Sequence, residues 1–231
     1  MDLSKLLIGF SALGAGILAY FATRKTAPQV STFQIELTNG QASSEFINQI
    51  QAPARLEITK TPTVQTAKPL LDLIGQKESN GNYNIIYGGA VKDLTSMSVG
   101  EVLQFQIDWR NAGTKSSAVG KYQFIYKTLN GLINDLKISK NDRFNEQLQD
   151  ELAYELLKRR GYEAYAKGQM TENQFMINIA KEWASFPVPI RTKGQQRTVS
   201  AGQSFYAGDG LNKALISVSE VKNKLQQVRV A

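Results

Sequence analysis

From Pro69 onward the apolar residues recur with a helical period. Leu71, Ile74 and Glu78 fall at i, i+3 and i+7, on one face of a helix whose first turn suits Pro69. Ser98-x-x-Glu101 is a capping box that opens a second helix, with Leu103 and Ile107 as its apolar pair. Ile125, Leu129, Leu132, Ile133 and Leu136 make a third stripe. Leu148, Leu152 and Leu156 make a fourth, which Gly161 can terminate. Thr171-x-x-Gln174 starts a fifth helix that carries Phe175, Ile179 and Trp183 and is stopped by Pro187; Trp183 is assigned to the core with its stripe. Residues 204–210 read as a loop with Asp209 as a candidate N-cap, and residues 211–228 as a sixth helix. Residues 83–89, YNIIYGG, read as a short β segment with a turn. The pattern predicts an α+β domain over residues 69–231, mostly helical, with one small β lobe beside Glu78.

The N-terminal pattern is different. Residues 6–22 read LLIGFSALGAGILAYFA, with no internal charge, Lys5 before them and Arg24-Lys25 after. Seventeen residues rising about 1.5 Å each span roughly 25 Å, the short end of what crosses a hydrocarbon core. A cleavable signal peptide is the competing reading. The run is long for that, no A-x-A site follows it, and Arg24-Lys25 stand where cleavage should fall. The expectation is an uncleaved transmembrane helix within residues 1–25, its orientation left open by positive charge on both flanks. Residues 26–68 are rich in Thr, Gln, Ser, Ala and Pro and read as a polar tether, with candidate short strands at 32–37 and 54–59.

Composition narrows the chemistry. The chain has no histidine and no cysteine, which excludes a Ser-His-Asp triad, a Cys nucleophile, a His-ligated zinc and a disulfide framework. Acid–base work falls to carboxylates, Tyr or Lys. No cofactor or metal is called for. A formal net charge of +7 favours an anionic partner. No Lys/Arg run or basic-aromatic array marks a nucleic-acid module, so nucleic acid is not expected as that partner. The dense cluster Lys158-Arg159-Arg160 ends the fourth helix, where cations suit the free carbonyls, and is read as structural.

Glu78 is the candidate acid. It stands in Lys77-Glu78-Ser79-Asn80 and shares its helix face with Leu71 and Ile74. Cutting a glycosidic bond requires a proton on the leaving oxygen while positive charge builds at the anomeric carbon. A carboxylic acid supplies that proton near neutral pH only where desolvation keeps it protonated. The ordinary alternative is a helix-terminal Glu turned to solvent. The turn Gly120-Lys121-Tyr122-Gln123, about forty residues downstream, shifts the weight towards chemistry. Asp93, Glu101 and Asp108 are candidates for a second carboxylate, although the capping box already accounts for Glu101. Without a second carboxylate, a single acid still suffices if a hydroxyl of the sugar itself attacks.

Four stretches occur in order: LLDLIGQKESNGNYNIIYGG (70–89), SSAVGKYQFIYKTL (116–129), NEQLQDELAYELLKRRG (145–161) and IAKEWASFP (179–187). Together they resemble the lambda-type phage endolysins, lytic transglycosylases of lysozyme-like fold. The resemblance implies a mostly helical lysozyme-like domain in which Glu78 is the catalytic acid and base. It implies that Ser79, Tyr83, Tyr87, Tyr122 and Gln123 bind the glycan, with Gln123 bonding an N-acetyl group or hydroxyl. The family usually has Gly after the catalytic Glu; Glu78-Ser79 is closer to the soluble lytic transglycosylases. Ser185, following Trp183-Ala184 near the end of the fifth helix, is placed where a side chain can reach the cleft. The expected partners are peptidoglycan glycan strands and, through residues 6–22, a lipid membrane. An anchor is foreign to soluble endolysins. It suggests a virion-membrane enzyme that opens the wall as the genome enters, beside other virion membrane or vertex proteins. A hydrolytic muramidase and a non-catalytic wall-binding protein are the alternatives.

Overall fold

The computed structural model describes residues 61–230. The expected transmembrane segment, most of the tether and the candidate strands at 32–37 and 54–59 lie outside the described residues. No helix among the described residues is long and apolar enough to cross a membrane.

The first helix, α1, runs Val64–Ser79, so it starts upstream of the expected Pro69. Thr63 and Thr66 cap each other reciprocally: the Thr66 N–H donates to Thr63 Oγ1 (3.2 Å) and the Thr63 N–H to Thr66 Oγ1 (2.8 Å). Such a cap is worth about 1 kcal/mol. Pro69 lies inside the helix and forgoes only one main-chain bond there. α1 ends where Asn80 turns left-handed (φ 53°) and the Gly81 N–H donates back to Gly75 O at 3.0 Å. Glu78 therefore sits in the last turn.

The next helix, α2 (Val99–Asn111), begins at the expected Ser98/Glu101 capping box. Its buried face is Val99, Val102, Leu103 and Gln106, and Ile107 is only half-buried. α3 (Tyr126–Asp135) buries Leu129, Leu132 and Ile133 and leaves Ile125 and Leu136 at its ends exposed. α4 (Glu146–Arg159) buries Leu152 and Leu156 and stops before a left-handed Gly161 (φ 98°), as its sequence predicts. The cations at its end are paired: Lys158 with Glu155, Arg159 with Asp135 and Arg160 with Glu182. A short α5 (Tyr162–Ala166) follows, without a strong periodic signal in so few residues. α6 (Glu172–Ala180) starts at Thr171 but ends well before Pro187, leaving Trp183 in a turn rather than on the helix. α7 (Val218–Gln226) is shorter than the expected 211–228, because Ser217 and Glu220 form its capping box.

The described residues are mostly helical. Their one sheet is a two-residue antiparallel pair, β1 (Thr192–Lys193) with β2 (Thr198–Val199), where no strand was expected. The expected β lobe at 83–89 holds single bridges instead: Ile85 to Val91 and Ile86 to Val119. α1 packs on α4 and α7, and α2 on α3. Leu70, Leu71 and Ile74 of α1 are fully buried in that core, which fixes the helix whose end carries Glu78.

Candidate active site

Glu78 opens onto a cleft of about 500 Å³. Tyr87 from the lobe, Tyr122 and Gln123 from the glycine turn, and Glu182, Trp183 and Asn212 from the C-terminal segments line it with Glu78. Residues far apart in the chain therefore converge on one groove.

The turn that carries Tyr122 is built by tight local geometry. Val119 bridges Phe124, and Gly120 and Gln123 are both left-handed (φ 74° and 51°). A Cβ at Gly120 would come within 2.3 Å of Gln149 Oε1, so only glycine fits. Buried Gln106 of α2 donates from Nε2 to Ser117 O (2.7 Å) and Phe124 O (2.8 Å), fixing both arms of the turn. Gln149 Oε1 accepts from the Lys121 N–H at 3.0 Å. The Ser79 hydroxyl donates to Gly75 O and to Lys121 O (2.9 and 2.8 Å), which rivets the end of α1 to the same turn.

Behind the turn lies a charged network. Lys121 Nζ donates to Asp72 (3.1 Å), Tyr83 Oη (3.0 Å) and Asp150 (3.3 Å). Asp150 Oδ1 also accepts from Tyr83 (2.9 Å) and Tyr122 (2.6 Å). Burial, then the bond to Asp150, pushes the Tyr122 phenol far above its ordinary range, so it stays neutral and donates inward.

These contacts separate the expected binding residues. Glu78, Tyr87, Tyr122 and Gln123 meet at the cleft. Ser79 and Tyr83 are absent from its lining: Ser79 is 4 % exposed and Tyr83 bonds Asp150. The helical step of 100° between Glu78 and Ser79 turns Ser79 inward. Tyr122 itself is 2 % exposed with its hydroxyl committed, so it offers the cleft a ring surface and no free hydroxyl. The Gln123 Nε2 group donates to Gly120 O (2.9 Å). Its carbonyl oxygen makes no hydrogen bond among the described residues.

Glu78 is the distinctive group electrostatically. Burial raises its proton affinity above that of an ordinary glutamate, and hydrogen bonds from the Ser185 side chain and backbone pull it partly back. The Ser185 hydroxyl donates to Glu78 Oε1. Asp93, Glu101 and Asp108 are exposed and away from the cleft; Glu101 serves the α2 cap, and Asp108 accepts from Gln104. The other carboxylate of the lining is Glu182, which the sequence reading did not single out. Arg160 Nε and a terminal nitrogen both reach Glu182 Oε2, at 2.8 and 2.6 Å. No local spacing flags Glu182, because its partner lies on another helix.

Residues 72–210 match the family model described as Endolysin. Among solved structures, bacteriophage lambda lysozyme complexed with a chitohexasaccharide is 19 % identical. That match covers 72 % of this chain and 94 % of the lysozyme, with a TM-score of 0.43. No curated protein sequence matches the chain.

Proposed function

Because the chain belongs to the endolysin family, whose members degrade peptidoglycan, we propose that it is a lytic transglycosylase. Its bond is the β-1,4 link between N-acetylmuramic acid and N-acetylglucosamine, and Glu78 is first its acid and then its base. One observation carries the assignment: a desolvated carboxyl without a cation partner among the described residues, bonded by Ser185, faces a groove large enough for sugar rings. Protonated Glu78 donates to the bridging oxygen, and the C1–O bond breaks with the electron pair leaving on that oxygen. Positive charge builds at C1 of the muramyl ring. The C6 hydroxyl of the same sugar attacks C1, and the Glu78 carboxylate takes its proton. Bonds and protons balance without water, and the product is a 1,6-anhydro end. Glu182 is neutralised by Arg160, which suits a cleft that does not use a second free carboxylate. Gln123 and Tyr87 supply a polar and an aromatic surface for the glycan.

Mass spectrometry of digested peptidoglycan should show 1,6-anhydromuramic ends. Reducing ends carrying oxygen from labelled water would replace this reading with a hydrolytic muramidase.

We also propose that residues 6–22 hold the enzyme in a membrane, that of a virion, from which the tether lets it digest the wall locally as the genome enters. The uncharged apolar run and its basic flanks support this. After expression, the full chain should stay in the membrane pellet through alkaline carbonate washing, and a chain lacking residues 1–25 should not. A full chain released by carbonate would end the anchor reading.

A further inference from the structure

The hydroxyl that bonds Glu78 comes from a turn, residues 181–186, that continues the end of α6. Its backbone is tied locally, the Phe186 N–H donating to Trp183 O at 3.0 Å. Its outer side is held by the C-terminal segment: Tyr206 Oη donates to Lys181 O (2.6 Å) and the Leu215 N–H to Ser185 O (2.7 Å). Its other side has one charged fastener. Arg160, the C-cap of α4, places two nitrogens on one oxygen of Glu182. Arg160 is held in turn, because Asn178 of α6 donates from Nδ2 to Arg160 O at 3.0 Å. Two charge-assisted bonds to a carboxylate that is mostly out of water are stronger and more directional than the neutral bonds around them. They join α4, which packs on α1, to the turn that must meet the end of α1.

We propose that Arg160 is a positioning residue: through its ion pair with Glu182 it holds the Ser185 hydroxyl on the Glu78 carboxyl. The inference rests on Glu78 being the acid of the reaction. Ser185 donates to Glu78 and so favours its ionised form; loosening the turn withdraws that bond and leaves burial unopposed. The other charged or titratable groups of the cleft are Lys115, Tyr87, Tyr122 and Glu182; of these, Glu182 loses its cation when Arg160 is replaced by Leu, and its repulsion of the Glu78 carboxylate acts in the same direction without Ser185. Lys77, beside Glu78 on α1, is engaged with Glu220 of α7 at 3.8 Å.

The test is the pH dependence of kcat/KM on purified peptidoglycan, measured with the full chain. Its alkaline limb reports the acid of the free enzyme. Ser185→Ala should move that limb to higher pH by about half a unit or more. Arg160→Leu should move it the same way, and the double variant should move it by clearly less than the sum of the two single shifts. Arg160→Lys, which keeps the charge but not the fork, should give a smaller shift in the same direction and serves if Arg160→Leu does not fold. The positioning role fails if every Arg160 variant that folds keeps the wild-type limb. It also fails if the two shifts add in full, or if Ser185→Ala leaves the limb in place. Turnover surviving in Glu78→Gln would instead end the assignment of the acid, a different result.

Discussion

Glu78→Gln should abolish turnover on purified peptidoglycan, by about 10³-fold or more, while the protein keeps its fold and its circular dichroism. The amide matches the carboxyl in shape and still accepts from the Ser185 hydroxyl, but its N–H protons are far too weakly acidic to transfer to the bridging oxygen. The same change should stabilise the protein at neutral and higher pH. Burial raises the folded-state pKa of Glu78, so its contribution is fully present below the unfolded-state pKa and is lost as pH rises through the folded value. Thermal melts should therefore show the variant above wild type at pH 8 and level with it near pH 4. A variant that clears peptidoglycan at the wild-type rate would remove Glu78 from the chemistry. Melting curves that coincide at both pH values would contradict its desolvation.

Lys121→Met should cost about 3 kcal/mol in urea unfolding, the range seen when one partner of a buried ion pair is removed. The Lys121 side chain is 5 % exposed and sits among Asp72, Asp150, Tyr83 and Tyr122. Methionine fills much the same volume, so the loss is mainly electrostatic: Asp150 would keep two phenol donors and lose its cation. Asp72 is half exposed and can turn to water, which keeps the figure near the low end of that range. For a domain of this size, such a loss lowers the melting temperature by about 6–12 °C. An unchanged urea midpoint would mean that the network behind the glycine turn is not what holds it.

Local patterns proved readable where the capping chemistry was local. Ser98 with Glu101 and Thr171 with Gln174 mark the starts of α2 and α6, because a cap is decided by residues a few positions apart. The start of α1 carries a weak local signal, because Thr66 stands where a capping box usually has Glu or Gln, and Pro69 gives the stronger one downstream. Asp209 misled at the other end of the chain. Its carboxylate accepts from the Leu211 and Asn212 N–H groups (2.9 and 2.8 Å), as in an N-cap, yet the chain does not continue as helix until Ser217. The nearness of Glu78 to the glycine turn was legible, and the groove brings Glu78, Tyr87, Tyr122 and Gln123 together. The resemblance implies Ser79 and Tyr83 as glycan contacts; in the structure one rivets the helix to the turn and the other donates to Asp150. Glu182 and the role of Ser185 were not legible, because both depend on how the segment after α6 meets α1 and α4. Only tertiary packing sets that meeting.

Glu78 lies in the closing turn of α1, just before the left-handed Asn80. At that terminus the aligned peptide dipoles sum to roughly half a negative charge, which opposes ionisation of a nearby carboxyl. In the proposed reaction Glu78 must arrive carrying its proton, and the polarity of the helix that bears it helps. Had the same glutamate been borne on a helix entering the groove by its amino end, that field would have worked to strip the proton away.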